Sequence, residues 1–247
     1  MTRRAVVTGG GTGIGRAVAR RLAAGGDEVT IVGRRSEVLK ATAAELNTEF
    51  DSDRVGFATG DLADPDQVTE LAAQLVAGGP IDVLVNNAGG NPNQPSTDLT
   101  GLADAYTDAF RINVITAVLL TEALLPDLSR PGASIVSVSS IAALRGAGPY
   151  GAAKAALHGW ALGLASQLAP QGITVNVVAP GFVPATEFWA TRLTPELEAD
   201  RVAQIPLGRA GTPDQIAAAI AHLASPDAAW TTGQILQVNG GTLLGRG

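Results

Sequence analysis

Cysteine is absent from this 247-residue sequence, and lysine, histidine and aromatic residues are scarce. Without cysteine the chain has no disulfide and no thiolate metal site. The two histidines, His158 and His222, are far apart and form no metal-ligand pattern. We expect both to be helix-surface or packing residues, and we predict no metal site. Lysine occurs only at Lys40 and Lys154, and Tyr150 is one of two tyrosines. A lysine or tyrosine in a functional pattern therefore carries more information here than in an average sequence.

The charge balance and the lengths of apolar runs exclude several classes of protein. Charged residues make up 16% of the chain and hydrophobic residues 46%, with a net charge of −6. An acidic balance gives no indication of a nucleic-acid surface. No apolar run approaches the length of a membrane span, and residues 1–4 do not resemble the start of a signal peptide. We expect a cytoplasmic protein with no nucleic-acid or membrane partner.

Short apolar strand patterns alternate with helix patterns along the whole chain. The expected strands are residues 5–8, 28–32, 54–58, 81–85, 133–138, 172–178 and 234–238. The chain has no internal repeat and no linker between these segments. The alternation predicts an α/β fold, in which residues 1–247 form a single doubly wound domain. Its seven-stranded parallel sheet should carry helices on both faces.

A glycine-rich turn follows the first strand directly. Gly9 to Gly15 reads Gly-Gly-Gly-Thr-Gly-Ile-Gly, and a helix pattern starts within it. This order forms a phosphate cradle, because glycines let the backbone approach the ligand and the helix N-terminus favours negative charge. A tight structural turn has the same composition, but the second strand completes a βαβ unit. We predict that Gly9, Thr12, Gly13, Ile14 and Gly15 contact a dinucleotide.

The tip of the second strand indicates which dinucleotide is preferred. A carboxylate at this position would bond the adenosine ribose and repel a 2′-phosphate. The sequence has Gly33, Arg34 and Arg35 instead. The guanidinium group is a planar fork suited to phosphate. The missing acid and Arg34 therefore predict NADP(H) as the cofactor, with Arg35 either a second phosphate ligand or a solvated loop charge.

Three further strand tips are expected to wall the same pocket, because ligands of open α/β sheets bind at the carboxyl ends of the strands. The residues are Asp61 and Leu62 after the third strand, Asn87, Ala88 and Gly89 after the fourth, and Pro180, Gly181 and Val183 after the sixth. Asp61 either contacts the adenine or caps the helix that begins near residue 64.

Serine, tyrosine and lysine follow the fifth strand. Tyr150 and Lys154 are four residues apart at the start of a helix pattern, so both side chains share one face. Ser139 or Ser140, at the strand end, could reach the same point. A free phenol has a pKa of about 10, and a nearby ammonium would lower it. The tyrosine would then exchange a proton with a substrate oxygen held by serine. The alternative is an ordinary helix-start residue beside a solvated charge.

Asn113 lies inside an apolar helix pattern that covers residues 102–125. A buried amide in the middle of a helix needs hydrogen-bond partners. Asn113 either satisfies backbone groups through a water or holds a water that relays protons from Lys154.

The substrate pocket is expected to be built from loops. Residues 184–211 form a long segment over the strand-end crevice and are predicted to be a lid. Ser139, Leu144 and Trp189 are the tentative substrate contacts, and Trp189 has packing within the lid as its alternative role.

These residues together resemble the short-chain dehydrogenase/reductase family over essentially the whole chain. The matching motifs are residues 8–15, residues 86–89, Tyr150 with Lys154, residues 180–181 and residues 239–241. The resemblance implies a Rossmann fold with a cofactor half at about residues 1–90 and a catalytic, substrate-binding half at about residues 91–247. It also implies an enzyme that reduces a small-molecule carbonyl to a secondary alcohol, or the reverse, with NADP(H).

The resemblance implies a role for each residue of the predicted catalytic group. Tyr150 would be the general acid/base, Lys154 the pKa modifier and nicotinamide-ribose ligand, Asn113 the water-holding residue and Ser140 the substrate-orienting serine. Ser140 and Tyr150 are ten residues apart, fewer than is usual in the family, so either Ser139 or Ser140 could face the substrate. Thr12 stands where many NADP(H)-dependent members have a basic residue, which leaves most of the 2′-phosphate recognition to Arg34.

Within the family the sequence is most similar to 3-oxoacyl-[acyl-carrier-protein] reductase-like members, so a 3-oxoacyl thioester is one candidate substrate. The net charge of −6 disfavours docking of an acidic carrier protein unless an arginine patch compensates. Small residues on the helix after Tyr150 and the family resemblance indicate a homodimer or homotetramer. Two alternatives remain: an NAD-dependent alcohol dehydrogenase of the same family, and a non-catalytic dinucleotide-binding protein, which would not need the catalytic groups.

Overall fold

The computed structural model describes residues 2–92 and 98–245, which form a seven-stranded parallel sheet. The strands are β1 (Arg4–Thr8), β2 (Glu28–Gly33), β3 (Val55–Thr59), β4 (Val83–Asn86), β5 (Ser134–Val138), β6 (Thr174–Pro180) and β7 (Ile235–Val238). Their order across the sheet is β3-β2-β1-β4-β5-β6-β7, the doubly wound arrangement. The predicted fold class and the seven-stranded parallel sheet are confirmed.

Helices connect the strands and cover the sheet. They are α1 (Gly13–Ala24), α2 (Ser36–Phe50), α3 (Pro65–Val76), α4 (Leu99–Phe110), α5 (Thr116–Leu124), α6 (Ala142–Arg145), α7 (Gly148–Leu168), α8 (Pro195–Ala203) and α9 (Pro213–Leu223). Several begin with a sequence signal. At α9, for example, the Thr212 hydroxyl accepts from the Gln215 N–H while the Gln215 side chain bonds the Thr212 backbone, which is a capping box.

The central strands are apolar because both of their faces are covered. Every residue of β5 is buried, including Ile135 and Val136, which have no exposed surface. Side chains on one face of the sheet pack with α1, α2 and α9, and those on the other face pack with α3, α5 and α7. A parallel sheet covered in this way requires strands that are apolar on both faces, which is the pattern in the sequence.

The structure places several element ends differently from the sequence prediction. Ile81 makes only an isolated bridge to Leu128, and regular pairing of β4 begins at Val83. Strand β6 extends to Pro180, which lies opposite Val238 of β7. The start of β4 and the end of β6 depend on where the neighbouring strand offers hydrogen-bond partners. The apolar pattern of a single segment does not show where those partners lie.

The single helix predicted over residues 102–125 is interrupted. Between α4 and α5, Arg111–Ile115 forms a π-helical turn, and the helical stretch runs on from Leu99 to Asp127. By length and composition this stretch could cross a membrane, contrary to the expectation from apolar runs. In the fold its inward side chains, such as Leu120 and Leu124, are fully buried in the core.

The sheet topology brings the tips of β1, β2 and β4 to one edge. Thr8 at the end of β1 lies opposite Val32 of β2, and Val7 lies opposite Val85 of β4. The strand order reverses between β1 and β4. From β1 the chain builds β2 and β3 on one side of the sheet, and it then crosses back to build β4 to β7 on the other side. A crevice forms at such a switch point, beyond the carboxyl ends of the strands.

We expect that Ile135→Ala would destabilise the fold by about 2–5 kcal/mol, because it removes methyl groups from a fully buried site in the central sheet. Leu207→Ala is the matched control, since Leu207 is 68% exposed and its truncation should change stability by less than about 0.5 kcal/mol. Urea denaturation followed by circular dichroism measures both. Equal effects of the two substitutions would contradict the assigned core.

Candidate active site

The glycine turn after β1 is closed by contacts that exclude larger residues. Gly9 has a φ of +64° and Gly13 a φ of +53°, a backbone region that favours glycine. A Cβ atom on Gly15 would overlap the carbonyl oxygen of Gly9, so this glycine is required by the turn itself. Helix α1 starts at the turn, and the Thr12 side chain does not cap it. The first N–H groups of α1 are therefore left for another acceptor.

Asn87 joins the glycine turn to the tip of β4. Its amide nitrogen donates to the Thr8 carbonyl at 2.9 Å and to the Gly9 carbonyl at 3.3 Å. The Thr8 hydroxyl in turn accepts from the Asn87 and Ala88 N–H groups, both at 2.9 Å. Asn87 therefore shapes the pocket by holding two loops together.

The two arginines after β2 have different surroundings. Both are exposed at the mouth of the cavity. Arg35 makes an ion pair of 2.7 Å with Glu187, a lid residue that follows β6. Arg34 has no ion pair within residues 2–92 and 98–245. Arg35 is therefore not simply a solvated loop charge, and its partner is not one that the sequence indicated.

Asp61 and Leu62 line the cavity at the tip of β3. The Asp61 carboxylate accepts from the Ala63 N–H at 3.0 Å. The N-cap of α3 is Asp64, whose carboxylate accepts from the Asp66 and Gln67 N–H groups. The alternative of Asp61 as the helix cap is thus wrong, since Asp64 takes that position, and Asp61 remains at the cavity wall.

Asn113 sits in the π-helical turn and braces the loop after β4. Its side-chain nitrogen donates to the Gly90 carbonyl at 2.8 Å, and its oxygen accepts from the Gly90 N–H at 3.1 Å. A Cβ atom on Gly89 would lie 2.5 Å from Asn113 Oδ1 and 3.2 Å from Lys154 Nζ, so these two polar groups converge on this glycine. Asn113 thus satisfies backbone groups of Gly90 and Ala109 by direct contact. π-Turns within α-helices are frequent at functional sites.

The structure separates the roles of the two serines at the end of β5. Ser139 is buried, and its hydroxyl bonds the Lys154 carbonyl at 3.0 Å and His158 Nε2 at 2.8 Å. Ser140 lies in the cavity wall next to the Tyr150 side chain, and its hydroxyl accepts from the Ala142 N–H at 3.1 Å. Ser140 is therefore the serine that faces the tyrosine, and Ser139 anchors α7 to the end of β5.

Lys154 is almost completely buried at the base of the cavity. Its ammonium donates to the Val138 carbonyl at 2.9 Å and lies 5.9 Å from the centre of the Tyr150 ring. Burial lowers the pKa of Lys154 to about 8, because the charged form loses its hydration.

The expected lowering of the Tyr150 pKa by Lys154 is not found. Loss of hydration raises the pKa of Tyr150 to about 12, opposed by the hydrogen bond from Ser140 and by the positive charge of Arg192. The reasoning from sequence considered the attraction between phenolate and ammonium but omitted the desolvation of both groups. Desolvation dominates here, and it keeps Tyr150 protonated at neutral pH.

The segment predicted as a lid places the aromatic side chains of Phe188 and Trp189 in the cavity wall. The Phe188 ring is 5.3 Å from that of Tyr150, and the Trp189 ring is 5.1 Å from that of Phe182 and 5.2 Å from that of Phe188. Trp189 thus packs within the lid and also lines the cavity. Leu144 is 43% exposed on α6 and is not among the cavity-lining residues, so its tentative assignment to the substrate pocket is not supported by its position.

The assembled cavity has a volume of about 820 Å³, within the range of small-molecule and cofactor sites. Residues predicted as cofactor contacts line it, namely Gly9, Thr12, Gly13, Ile14, Arg34, Arg35, Asp61, Leu62, Asn87, Ala88, Gly89, Tyr150, Lys154, Pro180, Gly181 and Val183. Gly15 and Asn113 lie behind this surface. The side-chain-uncapped N-terminus of α1 and the glycines with positive φ fit a dinucleotide whose phosphates approach the backbone closely.

Sequence reasoning missed three residues of this region. Thr186 lies against Gly13 of the glycine turn, Glu187 pairs with Arg35, and His158 bonds Ser139 beneath the cavity. His158 was expected on the helix surface or in packing, and it is buried with a specific partner. A histidine one turn after Lys154 is the only signal in the sequence for this contact. The lid contacts have no such signal, because they join segments far apart in the chain.

Comparison with known proteins gives consistent matches over nearly the full length. A family model described as Enoyl-(Acyl carrier protein) reductase matches residues 9–242. An uncharacterized oxidoreductase of Mycobacterium tuberculosis is 39% identical, over 96% of this chain and 90% of its own. The 3-oxoacyl-[acyl-carrier-protein] reductase FabG of Escherichia coli is 35% identical, over 97% of both chains.

A solved structure of similar fold carries a bound cofactor. The crystal structure of a blue fluorescent protein from a metagenomic library, in complex with NADPH, is 35% identical, covers 98% of both chains and has a TM-score of 0.87. Sequence relatives, family model and solved structure agree with the motifs and with the cavity described above. The chain belongs to the short-chain dehydrogenase/reductase family.

Proposed function

We propose that the protein is an NADP(H)-dependent oxidoreductase that reduces a carbonyl group to a secondary alcohol. The observation that carries this proposal is the grouping of Ser140, Tyr150 and the buried Lys154 in the wall of one cavity. A hydroxyl, a phenol and an ammonium placed together match the requirements of proton transfer to a substrate oxygen.

The residues divide the reaction between them. Bound NADPH supplies a hydride for the carbonyl carbon. Ser140 holds the carbonyl oxygen, and Tyr150 donates the proton that this oxygen needs when the alcohol forms. Burial raises the pKa of Tyr150 to about 12, so the phenol carries the proton that it would donate at neutral pH. The NAD-dependent alcohol dehydrogenase stays the alternative, and the cofactor comparison below tests it.

Lys154 and Asn113 support the reacting groups. The Lys154 ammonium projects toward Gly89 at the nicotinamide end of the cavity, where it would bond the ribose hydroxyls of the cofactor. Asn113 holds the Gly90 backbone in place, so that this loop keeps its position against Lys154. We retain the water-holding function of Asn113 as part of the proposal.

The cofactor end of the cavity would hold the phosphates. The N-terminus of α1 and the glycine turn would bind the diphosphate, and Arg34 with Arg35 would bind the 2′-phosphate. The NADPH bound to the solved relative supports this assignment. Asp61 and Leu62 would contact the adenine.

A 3-oxoacyl thioester is the substrate class suggested by the Escherichia coli relative. The aromatic lid residues Phe188 and Trp189 suit an apolar chain next to the reacting carbon. Acyl carrier protein remains a possible carrier of such a substrate, with the net charge of −6 arguing against a strong electrostatic attraction.

We further propose the organisation of the whole molecule. Residues 1–90 would form the cofactor half, residues 91–247 the catalytic half and residues 184–211 the lid. Gly159 and Gly163 of α7 have open space where a Cβ atom would lie, and Trp230 is fully exposed, which suits pairing into a homodimer or homotetramer. The cytoplasmic location stays a prediction from composition.

Tyr150→Phe tests the proton donor. The substitution should reduce kcat/KM for ketone reduction by roughly 10²–10⁴-fold, because the ring remains but the proton is lost. NADPH binding, measured by fluorescence titration, should change little. Turnover with a panel of ketones that includes a 3-oxoacyl thioester provides the rate. Wild-type activity in the variant would refute the mechanism, and tight NADPH binding by a wild type inactive on the whole panel would favour the non-catalytic alternative.

Arg34→Gln tests the cofactor preference. The wild type should prefer NADPH to NADH in kcat/KM, and the substitution should lower the value for NADPH by roughly 10–100-fold while leaving NADH nearly unchanged. Arg21→Gln is the control, since it removes the same charge from an exposed position at the end of α1. A wild-type preference for NADH would show that the arginine interpretation is wrong.

Lys154→Met tests whether the buried ammonium lowers the free energy of unfolding of the protein. The folded-state pKa is about 8 and the ordinary value 10.5, so below pH 8 both states hold the proton and the folded state bears the desolvation penalty in full. Between pH 8 and 10.5 the unfolded chain holds more protons, and rising pH therefore favours the folded state. The desolvation penalty for the ammonium is on the order of 3 kcal/mol. Methionine at this position avoids the penalty but loses the hydrogen bond to the Val138 carbonyl, which contributes about 1 kcal/mol.

At pH 7 the Lys154→Met variant should therefore be more stable than the wild type by about 1–2 kcal/mol while losing activity, and the difference should shrink by pH 9.5. Urea denaturation at both pH values measures this, with Lys40→Met at an exposed position as control. A variant that is less stable at pH 7, with no narrowing at higher pH, would contradict the desolvation argument.

A further inference from the structure

The lid places a carboxylate against the groups that are proposed to bind the cofactor. Glu187 pairs with Arg35 at 2.7 Å, and both residues line the cavity together with Thr12 of the glycine turn. The Arg35 contact joins residues 152 positions apart in the sequence. One lid side chain thus connects the tip of β2 with the segment after β6.

The residue before Glu187 contacts the same turn. A Cβ atom on Gly13 would lie 3.3 Å from Thr186 Cγ2, so Thr186 lies directly over the start of α1. The Thr186 N–H donates to the Pro184 carbonyl at 2.7 Å, and the Trp189 N–H donates to the Thr186 carbonyl at 3.1 Å, which makes this part of the lid a compact turn. Glu187 therefore reaches Arg35 from a defined backbone position.

The surroundings of Glu187 are those that attract a phosphate. A guanidinium fork, a hydroxyl donor and a helix N-terminus all favour a bound anion. The hydrogen bond from Arg35 holds the pKa of the Glu187 carboxyl below its usual range, so the group is charged at neutral pH. The pair is a single hydrogen bond from Arg35 Nη2 to Glu187 Oε2, so a phosphate oxygen that binds the same nitrogen competes with the carboxylate.

We propose that Glu187 is a specificity-determining residue that competes with the 2′-phosphate of the cofactor for Arg35. The inference rests on the proposed function, because it takes NADP(H) as the ligand of this cavity. Binding of the phosphorylated cofactor breaks the Arg35–Glu187 pair and frees the lid turn from the tip of β2. A cofactor without the 2′-phosphate leaves the pair in place.

The contribution of the pair is modest. Arg35 and Glu187 side chains are 58% and 54% exposed, and exposed ion pairs are weak because water and salt screen them. Removing the competitor should therefore change the dissociation constant for NADPH by roughly two- to fivefold. The informative quantity is the dependence of this change on the 2′-phosphate, which a general electrostatic effect would not produce.

The test measures NADPH and NADH dissociation constants by fluorescence or calorimetric titration of the full-length protein. Glu187→Gln should tighten NADPH binding by roughly two- to fivefold and leave NADH binding within error. Glu198→Gln is the matched control, since Glu198 lies elsewhere in the lid, on α8, and the substitution changes the net charge equally. In an Arg35→Gln background, Glu187→Gln should have no further effect on NADPH binding.

The outcomes separate this inference from the proposed function. Equal tightening for NADPH and NADH, an equal effect of Glu198→Gln, or an unchanged NADPH constant would each overturn the role of Glu187. Persistence of the full effect without Arg35 would overturn it as well. Failure of the wild type to bind NADPH would instead overturn the proposed cofactor, and binding without turnover would overturn only the proposed reaction.

Discussion

The site depends on one buried ammonium. Lys154 loses nearly all of its hydration at the base of the cavity and recovers a single strong interaction within the described residues, the bond to the Val138 carbonyl. A group in this position must be held from several sides, since an unsupported charge would draw water into the core. The Ser139 hydroxyl on the Lys154 carbonyl, the His158 ring on Ser139, and Asn113 behind Gly89 provide this support. The same low-dielectric setting raises the pKa of Tyr150, so burial shifts the pKa of both groups, upward for the phenol and downward for the ammonium.

The doubly wound sheet explains why these groups meet the glycine turn. Strands β1, β4, β5 and β6 are neighbours although long helices separate them in the chain. Their carboxyl ends deliver the glycine turn, Gly89, Ser140 and Gly181 to one crevice. Larger residues do not fit at these two tips. A Cβ atom on Gly89 would collide with Asn113, and a Cβ atom on Gly181 would collide with Asn239. Small residues at the strand ends therefore serve both the packing of the loops and the access of a ligand to the backbone.

Much of the fold and part of the site follow from local pattern. The alternation of apolar strands and helices, the glycine turn before α1, and the spacing of Tyr150 and Lys154 are properties of short segments that local stereochemistry determines. The ends of β4 and β6 were misplaced, and the π-helical turn at Asn113 was missed, because both depend on partners distant in sequence. The choice between Ser139 and Ser140 was open in the sequence for the same reason. The bonds from the Ser139 hydroxyl to Lys154 and His158 are what favour Ser140 as the proposed substrate-orienting serine.

The sequence by itself determined the class of fold, the location of the cavity at the strand ends and the family to which the chain belongs. Only the tertiary structure decided the direction of the Tyr150 pKa shift and the pairing of Arg35 with Glu187. The physical reason is that a pKa depends on the solvation of the folded site, and an ion pair depends on the distance between atoms. Neither solvation nor distance is encoded in the spacing of residues along the chain, so both appear only when the lid, the turn and the sheet come together.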